Sequence, residues 1–209
     1  GIVKDVYPGT SGSLSSSYEM IEADGRLFFV ANHPLNGTEL WVSDGTFEGT
    51  YLIKDICPGS SSSSPDELTA VSNGVFFEAT DCANGRELWF SDGTESGTEL
   101  VKDIYYGSSS GYIRHMTAVG DVVFFSGYNG SSNMGYELWT SDGTESGTLM
   151  VKDIRSGTSS SEPEHLTAVG DLVFFEANDG TNGRELWKSN GTESGTVMVK
   201  NIRSGSSSP

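Results

Sequence analysis

Four tryptophans, Trp41, Trp89, Trp139 and Trp187, each follow a Glu-Leu pair. An indole can stack on a sugar face or fill a core, and its return at the same place in every repeat favours packing. Oxygen ligands gather in "ANDGTNGRE", where Asn178, Asp179, Asn182 and Glu185 are candidates for a calcium ion. Their spacing does not match an EF-hand loop, and the matching stretch "TDCANGRE" offers fewer carboxylates, so no cofactor is expected beyond that weak calcium candidate. His33, His115 and His165 stand in separate contexts with no His-x-x-x-His or Cys-x-x-Cys spacing, which leaves a zinc site unsupported. Nucleophile elbow, P-loop and dinucleotide fingerprint are all missing, and no pair of carboxylates stands out for glycoside hydrolysis. The sequence therefore predicts no catalytic residues and no enzyme.

Charge narrows the partners further. The 209 residues carry 29 acidic against 12 basic side chains, a net charge of −17. Such an excess repels phosphate backbones and anionic lipid surfaces, so neither nucleic acid nor membrane insertion is expected. No run approaches the length of a membrane-spanning helix.

The elements that position these residues follow from repetition. Lys4, Lys54, Lys102, Lys152 and Lys200 mark a second recurring element, "VKDV", "IKDI", "VKDI", "VKDI" and "VKNI", always 13 residues after the preceding Trp where there is one. Each repeat divides into four strand-like runs, A to D, which in the last repeat read "EHLTAVG", "DLVFFEAND", "RELWKS" and "TVMVKNI". Compact "VGD" or "SNG" turns join A to B, and "SDGTESG" or close variants join C to D, so each repeat is an antiparallel meander. The "VFF" or "LFF" of run B places large apolar groups on both faces of a strand. Such a strand must be covered on both sides. Four-stranded sheets repeating about every 50 residues and sealing one another are the arrangement of a β-propeller. The expected fold is all-β, a propeller-like array of four complete blades plus an extra outer strand at the N-terminus. The Lys and Asp of "VKD" are expected as a ladder of charge pairs on the outer strands.

The octapeptides "ELWVSDGT", "ELWFSDGT", "ELWTSDGT" and "ELWKSNGT" resemble the ELWxxDGT tandem-repeat family, with Asn190 in place of the usual Asp in the last copy. The resemblance covers essentially the whole chain. It implies a secreted or surface-exposed, propeller-like repeat protein and brings no catalytic activity with it.

The boundaries read as an extra strand at 1–9 and repeats at 10–59, 60–107, 108–157 and 158–209, one continuous repeat domain. Five D runs accompany four sets of A, B and C, so the array is expected to continue in a longer chain or to join copies head to tail. Both length changes, at Lys4–Phe29 and at Phe125–Trp139, fall in D–A or B–C loops, which a meander places at one end of the blade. Binding by specific contacts is expected at that variable end. Cys57 and Cys82 both fall there and are expected to form a disulfide in an oxidising compartment. Sequons at Asn36, Asn129 and Asn190, all in expected loops, agree with export. The function expected is that of a non-catalytic extracellular structural or adhesive protein. Its blades extend or assemble, into a filament for example, with neighbouring repeats or copies of itself as partners. The alternative is a lectin-like propeller binding glycans or extracellular proteins through the variable loops.

Overall fold

The computed structural model describes residues 1–9, 11–14, 19–130 and 134–202. They form four antiparallel sheets of four strands each, every sheet a meander in chain order. The first is β1 (Met20–Ala23), β2 (Arg26–His33), β3 (Gly37–Ser43) and β4 (Tyr51–Leu52); the second is β5 (Asp66–Val71), β6 (Gly74–Thr80), β7 (Arg86–Ser91) and β8 (Thr98–Lys102). The third is β9 (Arg114–Val119), β10 (Val122–Tyr128), β11 (Tyr136–Ser141) and β12 (Leu149–Lys152), and the fourth β13 (Glu164–Val169), β14 (Leu172–Asn178), β15 (Arg184–Ser189) and β16 (Val197–Lys200). The runs A to D thus become strands in every repeat. Among the described residues no helix is long and apolar enough to cross a membrane.

The repeated octapeptide is the wiring of the turn between the third and fourth strands. Asp44 Oδ1 accepts from the Thr46 amide at 2.8 Å and from the Thr46 hydroxyl at 2.7 Å, while Thr46 Oγ1 accepts from the Gly49 amide at 2.9 Å. Thr50 Oγ1 spends its proton on the Thr46 carbonyl, 2.7 Å away, so Ser43 must be the donor in the buried 2.6 Å Ser43–Thr50 pair. Ser43 Oγ in turn accepts from the Gly45 amide. The same bonds recur around Asp92, Asp142 and Asn190. Glycine is required at 49, because a Cβ there would collide with the Asp44 carboxylate.

The chain forms two compact units, residues 1–103 with 107–109 and residues 104–106 with 110–209. In the first unit, Phe28, Val30, Leu40, Val42, Ile53 and Ile56 on one face of the first sheet pack with Leu68, Val75, Phe77, Ala79 and Trp89 of the second. The second unit repeats this contact, with Phe124, Leu138, Val151 and Ile154 against Leu166, Val173, Phe175, Ala177 and Trp187. Removal of these side chains from water is the main stabilising term. Within each unit the first strands run side by side, β1 by β5 and β9 by β13. Three of them, β5, β9 and β13, are bulged: Glu67, His115 and His165, at equivalent positions, have φ of 57°, 58° and 56°, beside the register shifts against β6, β10 and β14.

Two expectations change. Residues 1–9 contain no strand, and none of the four sheets takes this segment as a member. It nevertheless behaves as the end of a repeat: Lys4 Nζ donates to the Thr50 carbonyl at 2.6 Å, as Lys54 does to Thr98 at 2.7 Å and Lys152 to Thr196 at 3.0 Å. Val6 packs with Phe29, Ala31 and Trp41. At lysines 4, 54 and 152 the "VKD" element is accordingly no ladder of charge pairs. Lysines 4, 54 and 152 cap carbonyls, and Asp55, Asp103 and Asp153 accept from the amides of Gly59, Gly107 and Gly157 in their own loops. An ammonium satisfies a buried turn carbonyl at a spacing the adjacent carboxylate does not reach.

Candidate functional site

The four tryptophans are core residues, each only 5–6 % exposed. The indole N–H of Trp89 donates to the Ala79 carbonyl and that of Trp187 to Ala177, both at 3.1 Å. No indole face is left for a sugar.

The oxygen-rich loop is closed by its own amides. Asp179 accepts from the Thr181 and Asn182 amides at 2.9 and 2.7 Å and from Asn182 Nδ2 at 2.7 Å, while Asn178 Oδ1 accepts from Gly180. Those donors hold the Asp179 carboxyl below its usual range, although burial pulls the other way. Glu185 sits apart in the core, where Oε2 accepts from the Ile202 amide at 3.0 Å. Among the described residues no three His, Cys, Asp or Glu side chains are grouped to hold a metal ion. The histidines also stay apart in role: His33 lies against Trp41, while His115 and His165 occupy the bulges of their sheets.

Cys57 and Cys82 form a disulfide with Cα atoms 5.4 Å apart, joining the loop after β4 to the β6–β7 loop. Of the sequons, Asn36 lies in the β2–β3 turn and donates to Asp55. Asn190 is exposed in the β15–β16 turn, and Asn129 lies in the β10–β11 loop, where its Ser131 falls outside the described residues.

The Glu of the octapeptide is the residue whose role the sequence did not disclose. Glu39, Glu87 and Glu137 are fully buried and Glu185 nearly so. Glu39 Oε1 accepts from the amides of Ser63 (2.9 Å) and Cys57 (3.4 Å); Oε2 accepts from the Ile56 amide (3.3 Å) and the Ser63 hydroxyl. Glu137 repeats this with Ile154 at 2.9 Å and Ser161 at 3.0 and 2.6 Å. Each carboxyl ties the loop entering the next repeat to the third strand of its own. Burial outweighs these donors and pushes both carboxyls up to about 7. A Glu at the same offset before every Trp was the available signal.

One surface departs from this closed pattern. Phe124, Leu138, Val151 and Ile154 are at most 7 % exposed. Their equivalents in the fourth sheet are Phe174, Leu186, Val199 and Ile202. Phe174 is half-buried, and the other three are 41, 45 and 72 % exposed. On the first sheet, Met20 and Leu27 are 56 and 39 % exposed, whereas their equivalents Leu68 and Val75 are buried. These two faces carry the two halves of the contact that seals sheet to sheet within each unit.

No family model matches the sequence, and no curated protein matches it either. Solved structures are similar in fold. The puromycin hydrolase S511A mutant complexed with PGG matches with a TM-score of 0.55 at 14 % identity, over 86 % of this chain and 27 % of that one. Pyrococcus horikoshii acylaminoacyl peptidase matches with a TM-score of 0.57 at 9 % identity, over 90 % of this chain and 27 % of that one. A puromycin-hydrolyzing peptidase of Mycobacterium tuberculosis matches at 0.52 and 13 % identity, over 84 % and 27 % of the two chains. This chain spans about a quarter of those proteins' length, and the likeness concerns fold alone.

Proposed function

We propose that this chain is a non-catalytic structural repeat protein of the extracellular space or cell surface, extending by sheet-on-sheet stacking of propeller-like blades. It belongs in this reading with the ELWxxDGT repeat proteins. The observation that carries the proposal is the fourth sheet's outer face, where Leu186, Val199 and Ile202 are exposed and Phe174 is only half-buried although their equivalents in the third sheet are sealed. An apolar patch of this kind marks an interaction surface. Its natural complement is a face like that of the first sheet, built from Met20, Leu27, Phe29 and Trp41, against which residues 1–9, Ser13 and Leu14 lie. Stacking of copies requires the fourth sheet's "VMVKNI" to take the place held by "GIVKDV", since both supply the same element. The Cys57–Cys82 disulfide supports an oxidising compartment.

Light scattering across a concentration series tests the assignment. Association should strengthen with salt, which screens the repulsion between molecules of net charge −17. Leu186→Glu combined with Ile202→Glu should hold the protein monomeric. A wild-type chain that stays monomeric at every concentration and salt, including a variant lacking residues 1–9, refutes it.

A further inference from the structure

The third repeat breaks a rule the second and fourth obey. In those, an arginine opening the third strand is paired with a glutamate on the second: Arg86 Nε with Glu78 at 2.7 Å, and Arg184 Nε with Glu176 at 2.6 Å. The equivalent residues of the third repeat are Tyr136 and Ser126. In place of the ion pair lies an open recess lined by Arg114, His115, Ser126, Tyr136, Glu162 and Glu164.

The lining is unpaired where a ligand would need it. Ser126 is 3 % exposed, and its hydroxyl lines the recess with no hydrogen bond to another described residue. The oxygen faces the open recess, where a ligand's hydroxyl could reach it. The Arg114 guanidinium lies 5.1 Å from the centre of the Tyr136 ring and forms no ion pair or hydrogen bond among the described residues. Across the recess, Arg184 holds Glu162 at 3.0 Å and Glu164 at 2.6 Å, fixing two carboxylates as acceptors.

A wall of tyrosine rings adjoins it. Tyr128 stands 5.2 Å from Tyr136, 5.6 Å from Tyr105 and 6.3 Å from Tyr112, and Tyr112 stands 6.4 Å from Tyr136. Three of these rings are particular to the third repeat: the equivalents of Tyr112 are Ser64 and Glu162, those of Tyr128 are Thr80 and Asn178, and those of Tyr136 are Arg86 and Arg184, whereas Tyr105 has a counterpart in Tyr7. Gly130 lies so close to the Tyr105 ring that any side chain there would strike it. Tyr112 takes a left-handed backbone, φ 46°, and is 47 % exposed. The equivalents Ser64 and Glu162 share that backbone, each with φ of 49°, so the conformation belongs to the repeat and only the ring is particular to the third.

From this geometry we infer that the recess of the third repeat is a binding site for a neutral sugar ring. The ring's C–H face would lie on Tyr112 and Tyr136, with its hydroxyls bonded to Arg114, Ser126 and Glu164. An anion is disfavoured, since Glu162, Glu164 and Glu176 outnumber Arg114 and Arg184 and the whole chain carries −17. A hydrocarbon would leave the Ser126 hydroxyl and Arg114 guanidinium without partners. The site stands independently of self-assembly, because its residues lie within the second unit.

An array of neutral and acidic glycans, followed by calorimetric titration of the strongest neutral binder at concentrations where the chain is monomeric, tests the assignment. Tyr112→Ala and Arg114→Ala should each weaken binding at least tenfold with an unchanged melting temperature. Ser126→Glu combined with Tyr136→Arg should rebuild the ion pair of the second and fourth repeats, keep the fold and abolish binding. The inference is overturned if no neutral glycan binds, if only acidic glycans bind, or if the rebuilt variant binds as well as wild type.

Discussion

The buried carboxyls of Glu39 and Glu137 make stability depend on pH in an unusual direction. Both are pushed from the usual 4.5 to about 7 by burial, so the folded protein holds their protons more tightly than the unfolded chain does. A group raised in this way contributes its full stability below about pH 4.5 and loses it as pH climbs through about 7. At ~1.4 kcal/mol per pH unit, each carboxyl withdraws about 3 kcal/mol between pH 4.5 and pH 8. Glu39 acts in the first unit and Glu137 in the second. Aspartates 44, 92 and 142 act in the opposite sense: the Thr side chain two residues on donates to each and lowers its proton affinity. Their contribution is lost only at more acid pH, which leaves maximal stability near pH 5. Urea unfolding followed by tryptophan fluorescence from pH 5 to pH 8 measures the effect. Glu39→Gln is the control, because glutamine keeps the shape, accepts from Ser63 and Cys57, donates to the Ser63 hydroxyl and gives up only the 3.3 Å bond from the Ile56 amide, a loss that does not depend on pH, while it does not titrate. Wild type should weaken across the range, and Glu39→Gln should flatten the slope of the first unit by about 3 kcal/mol. Equal slopes in the two proteins, or a wild type more stable at pH 8 than at pH 5, would refute the reasoning.

Opening the Cys57–Cys82 disulfide, whose partners are 25 residues apart, should cost about 3.5 kcal/mol on loop entropy, read by urea unfolding with and without reductant. Ser91→Ala should cost about 1–3 kcal/mol, since it strips the Gly93 amide and the Thr98 hydroxyl of a buried partner. His165→Gly should be neutral or stabilise by up to about 1 kcal/mol, because φ is 56° there, whereas Thr167→Gly in the same strand should destabilise; thermal melts of both variants decide.

Much of the fold was legible because β periodicity and turn chemistry are local. The two-faced "VFF" run, the fixed interval from Trp to Lys and the Asp-Gly-Thr turn each act within one repeat, and the meander follows from them. The disulfide was legible for the same reason: topology places the loops of Cys57 and Cys82 at one end. The role of "VKD" was not, because Lys54 finds its carbonyl 44 residues away on another sheet. The strand expected at 1–9 failed on the same ground, since pairing is a property of two segments and the pattern describes one.

Sequence alone determined the number of sheets, their strand order, the acidic surface and the absence of any local catalytic signature. Tertiary structure decided what each repeated residue is for: that the Glu of the octapeptide is a buried tie to the following loop, that the tryptophans are sealed, and that the third repeat exchanges an ion pair for an open recess. Those outcomes depend on desolvation and on partners brought from distant positions, and neither quantity is written in the order of residues along one strand.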